Sequence, residues 1–213
     1  MKLFIFDVDK TLLSVNSSFK YYFFLIRKKV FSKTSFLRVC IFFFRYKFLN
    51  LSPEELHSKI FKNFFKGRNR KEIFKYVDIF ADILIFKFLN KKIFSILETA
   101  KKNKNEILLL SNSPCFLIGA IANKLNIKNY KATFYTEDEF GKFIKISKMM
   151  GGDEKAKYAE NFARNLKISK EDILVFTDSI WDIALLKIAK KGYVVNPNRK
   201  MISLAKKNSW EVL

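Results

Sequence analysis

The chain has 213 residues, 49% hydrophobic and 29% charged, with only 6 Gly and 3 Pro, which suits one large or two small globular domains and excludes disorder, collagen and low complexity. Lys and Arg number 41 against 20 Asp and Glu, a net charge of +21. This raises nucleic acid, an anionic membrane surface or a phosphorylated ligand as partner, beside the bland reading that AT-rich codons favour Lys, Phe, Ile and Asn.

The first apolar run, Leu3-Phe4-Ile5-Phe6, is too short for a signal peptide and ends in carboxylates, so secretion is not expected. Two cysteines, Cys40 and Cys115, and one histidine, His57, are too few for a disulfide framework or a zinc site and predict a reducing compartment, the cytoplasm. Similar apolar runs recur at Ile107–Leu110, Ile173–Phe176 and Tyr193–Val195, with amphipathic stretches at Lys91–Asn103, Pro114–Leu125, Asp153–Leu166, Ile180–Ala189 and Arg199–Asn208. That rhythm predicts an α/β fold, a Rossmann-like parallel sheet flanked by helices, with a β-hairpin around Glu139–Lys142.

Between about Ser14 and Asn90 the rhythm stops. This stretch holds most of the Phe residues, no acidic residue between Leu12 and Pro53, and a capping box at Ser52-Pro53-Glu54-Glu55 that starts a helix. It predicts an all-helical cap of residues 14–90 inserted into a core of residues 1–13 and 91–213. Charges interrupt its apolar run from Tyr21 to Phe48, so the run is not expected to cross a bilayer, though it suits lying on one.

The chemistry gathers where strands end. Asp7 and Asp9 follow the first apolar run, and like charges brought together there need a cation or proton between them. Ile107–Leu110 delivers Ser111-Asn112-Ser113-Pro114 to the same edge, where a hydroxyl and the N–H groups of a helix start suit an anion. Ile173–Phe176 delivers Asp178 and Asp182, spaced i and i+4, and hard oxygens from two strand ends suit Mg²⁺. Lys155 stands near the start of a helix after Gly151-Gly152.

In this order Asp7-x-Asp9-x-Thr11, Ser111, Lys155 and Asp178-Ser179-x-x-Asp182 resemble the four motifs of the haloacid dehalogenase superfamily, within its phosphoserine-phosphatase-like branch. The resemblance spans essentially the whole chain. It departs at Lys10, where the family most often has Gly, and at Thr177, where Gly is also frequent. It implies Asp7 as nucleophile and Asp9 as general acid and base. It also implies Mg²⁺ held by Asp7, Asp9, Asp178 and Asp182, and substrate contacts from Thr11, Ser111, Asn112 and Lys155.

The implied activity is hydrolysis of a phosphomonoester through an aspartyl-phosphate, the substrate a small molecule or a lipid phosphate. The alternative is a basic membrane-surface or nucleic-acid binding protein on an inactive phosphatase scaffold. The low share of Arg and the helical spacing of the Phe residues weigh against nucleic acid. Basic residues such as Lys20, Arg27, Lys28, Lys29, Arg38 and Arg45, interleaved with Phe, instead raise peripheral contact with an anionic inner membrane face.

Overall fold

The computed structural model describes residues 1–48 and 52–213, and of residues 33, 43 and 45–48 the backbone only. Seven strands form one sheet, β1 (Leu3–Asp7), β2 (Glu106–Pro114), β3 (Asn129–Glu137), β4 (Phe143–Lys148), β5 (Ile173–Thr177), β6 (Lys191–Val194) and β7 (Glu211–Val212), in the order β4-β3-β2-β1-β5-β6-β7. Every pairing is parallel except β3 with β4. The expected hairpin therefore enlarges the sheet with an antiparallel edge, turning at Gly141 with φ +74°.

Strand period 2 sorts the residues of β1 onto two faces. Leu3 and Ile5 pack with Leu108, Val175, Leu185 and Met201 under α8 (Gly152–Asn165), α9 (Ile183–Lys187) and α10 (Arg199–Lys207). Phe6 and Leu109 pack with Ile93, Leu97, Leu117 and Ile121 on the opposite face. There the sheet is covered by α6 (Lys91–Lys102) and α7 (Cys115–Lys124). Burial on both faces explains why these strands read as continuous apolar runs.

Two expected boundaries shift. Ile180–Ala189 is a 3₁₀ turn at Ile180–Asp182 followed by α9, and Pro114 is the extended residue before α7 rather than its first helical residue. β7 carried too short a pattern to be expected.

The described residues from Ser17 to Phe88 form helices joined by short turns: α1 (Ser17–Arg27), α2 (Lys33–Phe48), α3 (Pro53–Ile60) continuing into a π turn at Phe61–Phe65, α4 (Arg70–Phe74) and α5 (Val77–Phe88). The capping box at Ser52 forms as expected, Glu55 N donating to Ser52 Oγ at 3.1 Å and Ser52 N to Glu55 Oε2 at 2.9 Å. Aromatic packing unites the segment, with Tyr22 against Phe31 and Phe64 at 5.0 and 4.8 Å between ring centres. Part of the Phe-rich stretch is thus core, while Phe36, Leu37, Ile41 and Phe44 are 46–66% exposed on α2. The Arg45 and Lys47 side chains lie outside the described residues. Among the described residues no helix is long and apolar enough to cross a membrane.

The chain leaves and re-enters the sheet layer at one place. Ser14 N donates to Phe88 O at 2.7 Å and Asn90 N to Leu12 O at 2.9 Å.

Candidate active site

Asp7 closes β1 on the face it shares with Leu3 and Ile5, the face that α8 covers. The first turn of α8 places Lys155 Nζ 2.6 Å from Asp7 Oδ1 and 2.9 Å from Asp182 Oδ2, with all three side chains buried. Thr177, at the end of β5, donates its hydroxyl to the same Asp182 oxygen at 2.7 Å. It does so with an ordinary negative φ, so a threonine stands here without backbone strain. Lys10 differs: its φ of +61° lies in the left-handed region, which accounts for the preference for Gly there.

Thr11 is fully buried beneath the site and off the cavity wall, where its Oγ1 accepts from Asp178 N at 3.0 Å and so fastens the loop after β1 to the loop after β5. Asp9 Oδ1 accepts from Ser17 N at 2.7 Å and its Oδ2 from the Ser113 hydroxyl at 2.5 Å. Ser111 is buried and accepts from Ser113 N at 3.1 Å, and Asn112 turns its Oδ1 toward the Thr133 hydroxyl at 3.1 Å. Asp7, Asp9, Ser111, Asn112, Lys155, Asp178 and Asp182 all border one cavity of about 760 Å³.

Burial raises the Asp7 carboxyl well above its ordinary range, and Asp182 and Asp178 push it further while Lys155 opposes them. Burial likewise raises Asp178 to about 6, against the pull of Lys10. Burial works against the charge of Lys155, but its ion pairs with Asp182 and Asp7 outweigh that and raise its pKa. Three neighbouring carboxylates share one buried ammonium, so a divalent cation would complete the charge balance, and the donors are the hard oxygens Mg²⁺ takes. Among the described residues no three His, Cys, Asp or Glu side chains already surround one point. Lys155 occupies one oxygen each of Asp7 and Asp182, which leaves Asp178 and the second oxygens of Asp7 and Asp182 as candidate donors.

Sequence reasoning missed Thr177 as a donor, Ser113 as the partner of Asp9, and His57. The half-buried His57 ring borders the cavity, with Nε2 2.6 Å from Tyr135 Oη and a hydrogen bond to the backbone of Asn112. Burial lowers its pKa to about 4, so it is neutral at pH 7. No sequence signal marked it, since a lone histidine on an amphipathic helix has no pattern.

The sequence model of haloacid dehalogenase-like hydrolases matches residues 4–187, from β1 to the end of α9. The chain belongs to this family. No curated protein matches the sequence. Among solved structures, a protein of unknown function from Bordetella pertussis Tohama I superposes with a TM-score of 0.85 at 18% identity, over 99% of this chain and 97% of that one. A substrate-bound phosphoserine phosphatase gives 0.72 at 15% identity over 100% and 92% of the two chains. A phosphoserine phosphohydrolase-like protein from Francisella tularensis subsp. tularensis SCHU S4 gives 0.71 at 20% over 100% and 95%. At these identities the likeness establishes the family's fold, including the helical excursion after β1.

Proposed function

We propose that this haloacid dehalogenase-like hydrolase is a Mg²⁺-dependent phosphatase acting on a phosphomonoester of a small molecule or a lipid through an aspartyl-phosphate on Asp7. Residues 14–90 serve as its cap over a core of residues 1–13 and 91–213. One observation carries the reading: Asp7, Lys155, Asp178 and Asp182, from three distant parts of the chain, converge beside one cavity between the sheet edge and the helical segment. A binding protein on a relic scaffold has no need of that intact set.

The Asp7 carboxylate attacks phosphorus in line, forming a P–O bond as the ester P–O bond breaks. Asp9 gives a proton to the departing alcohol oxygen, then takes one from the water that attacks the aspartyl-phosphate. That second attack breaks the bond to Asp7 and releases inorganic phosphate. Lys155 holds Asp7 in place and, with Ser111 and the N–H groups after it, receives the non-bridging oxygens. Asp7, Asp178 and the Asp9 carbonyl would hold Mg²⁺ with Asp182 behind them, and the ion would offset the repulsion between Asp7 and an anionic phosphate. Thr11 and Thr177 position Asp178 and Asp182.

The test is hydrolysis of an aryl phosphate by purified protein with Mg²⁺. Turnover that survives excess chelator, or that persists in Asp7→Asn, overturns the reading.

A location at an anionic inner membrane face is supported by α2, where Leu37, Ile41 and Phe44 form an exposed stripe at i, i+4 and i+7, and by the exposed basic residues Arg27, Lys28, Lys29 and Arg38. Sedimentation with anionic but not neutral vesicles is the expected outcome, since each basic residue near an anionic surface contributes roughly 1 kcal/mol. Equal partitioning onto both removes this part of the proposal.

A further inference from the structure

The cavity has a lining of two unlike kinds. The sheet edge contributes the carboxylates and the Ser111 loop, and α8 contributes Lys155; the helical segment contributes Phe19, Leu56, Ile60 and Phe65, to which Phe116 and Met150 add apolar surface. At about 760 Å³ it lies within the roughly 300–1,000 Å³ that encloses a drug-sized guest. A phosphoryl group at Asp7 fills only a part of that space.

Charged groups are scarce on the rest of the wall. Beyond the carboxylate centre the described residues of the wall include Lys10, Lys20 and Glu54 as charged groups, and no arginine is among them. Lys20 is exposed, with its ammonium 5.0 Å from the centre of the Phe88 ring. Glu54 stands over Gly151, at the mouth of α8. His57 carries no charge at pH 7 and is held by Tyr135 and Asn112. A zwitterionic alcohol such as a phosphorylated amino acid would find only Lys10 and the exposed Lys20 as cations among the described wall residues beyond Lys155, and its carboxylate laid against the apolar lining would be penalised by desolvation. An alkyl chain in the same place sheds apolar surface from water and itself brings no polar group that needs a partner.

We propose that the substrate is an amphiphile, a phosphomonoester whose alcohol carries an extended apolar chain that lies along Phe19, Leu56, Ile60 and Phe65. This rests on the phosphatase reading and narrows it: phosphoserine and sugar phosphates become poor substrates. It requires no chemistry beyond the P–O cleavage already written, because the chain contributes binding only.

A homologous series of n-alkyl phosphates, kept below their micellar concentrations and compared with an aryl phosphate and phosphoserine, tests it. We expect kcat/KM to rise about two- to fourfold per added methylene until the cavity is filled, with phosphoserine below the longer alkyl phosphates. Ile60→Trp should move the best chain length to a shorter one. Should that variant fail to fold, binding of non-hydrolysable alkyl phosphonates to the wild-type protein, by calorimetry, reads the same dependence. Hydrolysis of the aryl phosphate with a flat chain-length profile, or with phosphoserine preferred, overturns the amphiphile and leaves the phosphatase standing. No hydrolysis of any ester overturns the phosphatase itself. A chain-length dependence in the monomeric series supports the proposal, and turnover of phosphatidic acid in vesicles then names a bilayer lipid as the source, whereas its absence names a free amphiphile.

Discussion

Lys155 and Asp7 are 148 positions apart in sequence, and the ammonium of one lies 2.6 Å from the carboxylate of the other inside the protein. Neither is solvated enough to be stable alone. Lys155 also meets Asp182, so one cation restrains the end of β1 and the turn after β5 together. A single α-helical turn therefore fixes the relative positions of two strand ends.

Removing that cation should be costly. Lys155→Met leaves Asp7 and Asp182 buried without a counter-charge, and the loss is expected at about 3–5 kcal/mol. Thermal melts check it, and added Mg²⁺ should restore part of the midpoint in the variant, since the same carboxylates are its donors. A variant as stable as the wild type without metal would show that the ion pair does not hold the site.

Asp7→Asn should lose aryl phosphatase activity while keeping its melting temperature, because the amide retains the shape and lacks the nucleophile. Asp9→Asn should lose most on esters with poor leaving groups, since activated aryl phosphates need little protonation. Rates measured across a leaving-group series separate the two roles; equal losses throughout would make Asp9 structural, a tether for Ser17 and Ser113 alone.

His57 gives stability a pH dependence of known sign. Its pKa is about 4 folded against about 6.5 unfolded. The unfolded chain thus binds the proton more readily, and stability falls as pH drops from 6.5 toward 4. Asp178, raised to about 6, works in the opposite direction over much of that window. The difference between wild type and His57→Gln isolates the histidine: the gap should favour the wild type near pH 7 and narrow or invert as pH falls. Parallel curves would mean that the ring is not enclosed.

Gly152 is required by space rather than by φ. A Cβ there would sit 1.7 Å from the Trp181 carbonyl oxygen, and that backbone is fixed by the turn holding Asp182. Gly152→Ala is expected to cost 3 kcal/mol or so, at the upper end of overpacking, and to lower activity by displacing Lys155 three residues on. Gly67→Ala, at φ +79° with nothing within 4 Å, should cost about 1 kcal/mol and spare activity.

Lys10→Gly reports on the departure from the family pattern. Relief of the left-handed backbone should raise stability by about 1 kcal/mol, while loss of the charge beside Asp178 should raise KM for an anionic ester. Melting and steady-state kinetics on one preparation read both.

The sheet was legible because strands buried on both faces carry unbroken apolar runs, and Asp7, Asp9, Asp178 and Asp182 stood out because carboxylates after such runs are otherwise unfavourable, whereas Lys155 stood out only by its place in the motif order. Ser113 and Thr177 were not, since one hydroxyl among many leaves no pattern until folding places it against a carboxylate. The helical segment was legible as helical and illegible as to burial. Phe31 and Phe64 are core while Phe36 and Phe44 are exposed, and the packing of Tyr22 on Phe31 and Phe64 that sets the first two apart has no mark in the sequence.

The paired backbone hydrogen bonds at Ser14–Phe88 and Asn90–Leu12 make the excursion of residues 15–88 begin and end at a single doorway in the protein. Its length and composition are therefore uncoupled from the register of β1 with β2 and β5. On the phosphatase reading proposed above, descendants of such a chain are free to rewrite the room in which an alcohol would be received without disturbing the bench on which its phosphate would be cut.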